Sequence, residues 1–232
     1  MSILNILSGG AAASAVKGIQ TAFEADHRCT IEGRFSAVGE MRDALLNGAP
    51  CDVVILTRAL IEQLIVSGHV RADSAQSLGK VQTGIAVKQG EQAPQVDSPE
   101  TLAQAFRQAK AIYCPDTKKS TAGIHFMRVL TELGLEQDVN SKLREFANGA
   151  TAMKEMAQCT EPHLIGCTQA TEINYTAGVV LVANLPKAFE LSTDYTLGVC
   201  TQTTQPVLAQ TLAAWLTGVQ SDQVRRHGGF EF

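Results

Sequence analysis

The stretch ILNILSGGAAASAVKGIQTAFEADH, from Ile3 to His27, runs from a short apolar segment through two glycines and a set of small residues into an amphipathic segment. Val16, Ile19 and Phe23 fall at helical spacing with no proline among them, which predicts a helix. A helix that opens just past a strand directs its first N–H groups outward. Small residues at Ser8, Gly9, Gly10 and Ala11 let another atom approach that backbone closely. The stretch therefore reads as strand, glycine turn and helix, with an anion site at the turn.

The same alternation continues along the chain. Strands are predicted at 3–7, 30–35, 52–56, 80–87, 111–114, 163–168, 179–183 and 195–201, and helices at 39–46, 58–67, 99–109, 121–133, 151–158 and 206–216. Strand alternating with helix implies an α/β fold with parallel sheets covered by helices on both faces. No internal repeat is present, and the polar, turn-rich KQGEQAPQVDSP, Lys88 to Pro99, separates one α/β run from the next. Three more strand-to-helix turns carry glycine or hydroxyl residues: FSAVGEM from Phe35, PDTKKSTAG from Pro115 and GCTQATEI from Gly166. Ser120 or Thr121 is expected to cap the helix after PDTKKSTAG, whose positive end faces the carboxyl edge of the preceding strand. Ligands of open α/β sheets sit at such edges.

The composition narrows the partners. In 232 residues, 45% hydrophobic and 18% charged describe an ordinary folded chain, and a net charge of -4 argues against nucleic acid. Cys29, Cys51, Cys114, Cys159, Cys167 and Cys200 show no CxxC pair and no histidine at metal-ligand spacing. They read as reduced thiols, with no metal site and no cofactor expected. The first charge is Lys17, whereas an export signal opens on a basic region before an apolar core of about 7 to 15 residues. No apolar run approaches the roughly 20 residues of a membrane helix. The expectation is a cytoplasmic protein without a membrane span, periplasmic only if a leader has been removed.

Taken in order, ILNILSGGAAASAVKGIQTAFE, FSAVGEMRDALLNGAPCDVVILT, PDTKKSTAGIHFMRVLTELGL, IGCTQATEI and RRHGGFEF resemble the periplasmic molybdate-binding proteins of ABC transporters over nearly the whole chain. The resemblance implies a two-lobed type 2 periplasmic-binding-protein fold with two crossing strands. Its lobes would be residues 1–82 with 190–232, and 83–189, with a ligand cleft between them. In that family neutral donors, namely serine hydroxyls, backbone amides and a tyrosine, surround a tetrahedral oxyanion. Those side chains fall here at Ala11, near Val38 and Gly39, and near Gln169, so most are missing. Backbone amides at Gly10, Ala11, Gly39 and Ala122 remain as donors.

Charge has been gained instead. Arg34, Arg58, Lys118 and Lys119 lie at or beside these turns, and fixed cations suit carboxylates. The ligand-binding set is thus expected to be Ser8, Gly9, Gly10, Ala11, Val38, Gly39, Arg58, Lys118, Lys119, Ser120, Thr121, Ala122 and Gln169. The superfamily also includes aconitate isomerase, which moves a double bond by a 1,3-proton shift and needs a base near an allylic C–H. Glu40 and His125 are the expected catalytic pair, with Glu172 a third proton carrier. No G-x-S-x-G elbow surrounds Ser8, so Ser8 is read as a donor and not a nucleophile. The leading reading is a di- or tricarboxylate isomerase. The alternative is a molybdate or similar oxyanion binder, for which alone a transporter permease would be a partner.

Overall fold

The computed structural model describes residues 2–232. The chain divides into two compact units. One runs up to Val81 and resumes over Thr193–Phe232, and the other is Gln82–Ser192.

In the first unit β1 (Ser2–Gly9) leads through a 3-10 turn at Gly10–Ala12 into α1 (Ala13–His27), which buries Val16, Ile19 and Phe23 on one stripe. There follow β2 (Cys29–Ser36), α2 (Val38–Leu46), β3 (Val53–Thr57), α3 (Arg58–Val66) and the first part of β4 (Gln76–Lys88). Strand β1 pairs in parallel with both β2 and β3, and the register sets Gly9 beside Ser36. The ends of β1 and β2 therefore release their helices side by side.

In the second unit the rest of β4 precedes α4 (Pro99–Gln108), β5 (Ala111–Pro115), α5 (Thr121–Glu132), α6 (Glu136–Val139), β6 (Leu143–Phe146), α7 (Gly149–Gln158), β7 (Leu164–Gln169), α8 (Ala170–Asn174) and β8 (Val179–Asn184). Strand β5 runs parallel to β6 and β7, while β4 runs antiparallel to β7 and β8. Alternate residues feed two cores. Ile85, Ile112, Ile165 and Cys167 pack with Phe106, Phe126 and Leu130 on one face, and Ala86, Ala111 and Leu164 pack with Met153 and Met156 on the other. Helices thus cover both faces, as an α/β sheet requires.

The chain then returns to the first unit through β9 (Ser192–Val199), α9 (Pro206–Thr217) and α10 (Val219–Gly228). Strand β9 is antiparallel to β3, with Thr57 opposite Tyr195. The fold is the expected α/β class with flanking helices; β4 and β8 pair antiparallel with each other, β4 with β7, and β9 with β3. Strand β6 and helix α10 were not expected. Among the described residues, no helix is long and apolar enough to cross a membrane.

Candidate functional site

In the first unit the turns after β1 and β2 meet. Ser8 is fully buried and its hydroxyl donates to the Gly9 carbonyl at 2.9 Å. A Cβ on Gly9 would lie 2.7 Å from Val38 Cγ1 and 3.1 Å from Tyr195 Cε1, so the glycine is what lets α2 and β9 close over the end of β1. Gly10 and Ala11 open the 3-10 turn, and Val38 and Gly39 form the first turn of α2. Glu40, half-buried one residue on, accepts a hydrogen bond from the Ser36 hydroxyl at 2.6 Å through Oε2. Sequence neighbours on two separate loops, Ser8–Ala11 and Val38–Glu40, are thereby brought together.

Arg58 is placed differently from a lone cation. It opens α3 and donates through Nε and Nη2 to Asp194 Oδ2 at 3.0 and 2.9 Å. Asp194 also accepts from Ser77 and Thr196. Partial burial works against its charge, but those three hydrogen-bonding partners, helped by the Arg58 charge, hold the Asp194 carboxyl below its ordinary value. Arg34 is exposed on β2.

In the second unit the turn after β5 is built around Asp116. Its Oδ1 accepts the N–H groups of both Lys118 and Lys119 at 2.7 Å, which leaves the two ammonium groups on exposed side chains. Ser120 occupies the cap position of α5, yet neither it nor Thr121 supplies the expected side-chain cap; the Ser120 N–H instead donates to the Asp116 carbonyl at 3.1 Å. Ala122 is buried, and a Cβ on Gly123 would collide with the carbonyls of Pro115 and Asp116, so the helix must begin without a side chain there. His125, half-buried, lies 2.7 Å through Nε2 from the Phe189 carbonyl. A carbonyl only accepts, so that nitrogen carries a proton and is committed to the backbone.

The turn after β7 is almost entirely buried: Thr168, Gln169, Thr171 and Glu172 are each 6% exposed or less. Glu172 accepts from the Thr168 hydroxyl and from the N–H groups of Gly149, Ala150 and Gln169. Burial drives its carboxyl above the ordinary range, and those four donors pull it back. Glu172 is therefore an internal cap on the first turn of α7, not a group facing outward. Asn148 completes that helix start by accepting from Thr151 N–H at 2.8 Å. Here the reading by sequence missed a fifth strand-to-helix turn, FANG, although an asparagine followed by glycine before a helix is a cap signal. It also missed Asp116 and Asp194, whose roles depend on long-range packing.

These turns place backbone amides, hydroxyls and ammonium groups at the carboxyl ends of parallel strands in each unit. The comparisons with known proteins give the pattern its family. The model of the bacterial extracellular solute-binding proteins matches residues 4–231. The chain belongs to that family. Among curated proteins, this solute-binding protein is 22% identical over 237 residues to an aconitate isomerase from a Pseudomonas species, covering 98% of this chain and 87% of that one. Among solved structures, it superposes on the Azotobacter vinelandii periplasmic molybdate-binding protein with a TM-score of 0.80, 14% identity and 99% coverage of each chain. The Mycobacterium tuberculosis sulfate-binding protein SubI gives 0.75 at 14% identity, covering 99% of this chain and 86% of that one. The fold is thus the type 2 periplasmic-binding architecture. Among the described residues, no group of three or more His, Cys, Asp or Glu side chains could hold a metal ion.

Proposed function

We propose that this solute-binding protein takes a small di- or tricarboxylate of the aconitate class at its strand-to-helix turns and shifts a double bond within it. The observation that carries the reading is Glu40. Its half-buried carboxylate sits in the first turn of α2, oriented through one oxygen by Ser36, next to the glycine turn after β1. That is a suitable place for a base beside a bound anion. The likeness to an aconitate isomerase over 98% of the chain supports it.

In this reading Glu40 takes a proton from the allylic carbon, the electron pair spreads into the adjacent carboxylate, and the same proton returns to the far carbon of the three-carbon unit. The shift is redox-neutral and balances with the proton alone. Backbone amides at Gly10, Ala11 and Gly39 stabilise the developing charge beside Glu40, and in the second unit the Ala122 amide and the ammonium groups of Lys118 and Lys119 are the donors suited to an anion. His125 holds the start of α5 through Phe189 and is assigned a positioning role in place of the catalytic one. All six cysteines are free thiols, which suits the reducing compartment in which we place the protein.

Incubation with cis-aconitate, followed through its vinylic proton NMR signal, tests the proposal. Appearance of the trans isomer with wild type and a loss of about 10²- to 10⁴-fold in rate for Glu40→Gln is the expected pair of results. No conversion by wild type rejects the isomerase.

One observation favours a second reading, an oxyanion binder of the molybdate type that hands its ligand to a permease. Arg58 is already neutralised by Asp194, so the turns after β1 and β2 offer backbone amides more than positive charge. Micromolar or tighter binding of molybdate, by calorimetry, would put this reading first.

A further inference from the structure

Thr83 lies on β4 directly opposite Gln169 in the ladder with β7, so the two side chains share a face of the second unit's sheet. The face is identified by parity: Ile85, two residues along β4, and Cys167, two residues back along β7, both belong to the core packed by Phe126 of α5. Thr83 and Gln169 extend that face to the carboxyl edge of β7, the edge at which α5 begins. Thr83 is 1% exposed, and its hydroxyl has no hydrogen-bond partner. Both backbone groups of Thr83 are engaged, the N–H with the Leu191 carbonyl and the carbonyl with the Leu185 N–H. The strand is therefore held firmly while its side-chain oxygen is left over.

A buried hydroxyl without a partner is costly, and the cost is tolerated where a partner arrives from outside the chain. We propose that Thr83 is a ligand-contacting residue that sets specificity, its Oγ1 donating to an oxygen of the anion held between Gln169 and the first turn of α5. Thr171, 1% exposed with its hydroxyl likewise lacking a partner, supplies a second neutral contact two residues beyond Gln169. The inference rests on the reading that the protein binds a small anion, and it adds the chemistry of the second unit: neutral hydroxyl donors for carboxylate or oxyanion oxygens.

The test is calorimetric titration of wild type, Thr83→Val, Thr83→Ser and Thr171→Val with cis-aconitate and with molybdate, beside thermal melts without ligand. Valine keeps the shape of threonine and removes the oxygen. The expected result for Thr83→Val is about a tenfold loss of affinity with an unchanged or raised melting temperature, restored by serine. Wild-type affinity in Thr83→Val, whatever its melting temperature, overturns this inference alone. Failure of wild type to bind either probe overturns the anion reading together with it.

Discussion

At Asp194 a single carboxylate receives Ser77 at 2.8 Å, Thr196 at 3.0 Å and both arms of Arg58, all within the first unit. Its folded value is lowered, so the stability it contributes is complete above the ordinary aspartate value of about 3.9 and is lost as pH falls through the lowered value. Urea denaturation across the acid range should show wild type losing stability there and Asp194→Asn losing that part of the slope. Equal slopes would remove the carboxylate from the account. The same pairing divides the cations by role. Lys119→Ala is expected to weaken cis-aconitate by about tenfold, whereas Arg58→Ala changes affinity by less than about threefold and acts on acid stability instead. Arg58 could be read from sequence as a cation beside a turn. Its partner could not, because it lies 136 residues away and the sequence holds no signal for that packing.

The start of α7 shows what governs an element. Gly149 passes so close to Glu172 and Thr168 that a Cβ would occupy the space of their oxygens, and Asn148 caps the same turn. Gly149→Ala should therefore destabilise the second unit by about 1–3 kcal/mol through overpacking, and Asn148→Ala by about 1 kcal/mol through the lost cap. In a chain of this size each kcal/mol lowers the melting point by roughly 2–4 °C, which calorimetry resolves. Elements were legible where apolar residues keep a period. The buried stripe Val16, Ile19 and Phe23 marks α1, and the fully buried VVIL of β3 marks a strand. Strand β6, LREF, escaped because its residues are exposed or half-buried and its apolar residues stand at the two ends, which leaves no alternation to read. Helix α10 escaped for a related reason: it buries Ser221 and Arg225, a polar pair that carries no hydrophobic signal. Thr83 is one of several polar residues in β4, QSLGKVQTGIAVK, so composition does not single it out, and only the ladder register gives it a neighbour.

At the scale of the whole molecule, the chain passes between its two units at only two places, near Val81 and near Ser192. The family and the order of its turns were legible from end to end because each turn follows its strand in sequence. The ligand was not, because amides, hydroxyls and ammonium groups suit carboxylates and tetrahedral oxyanions alike. Calorimetric titration of cis-aconitate into the protein, repeated in millimolar molybdate, separates them most directly. The account predicts that cis-aconitate binds in both titrations with nearly the same affinity. Tight molybdate binding that abolishes the aconitate heat, or the absence of any aconitate heat at millimolar ligand, would contradict it.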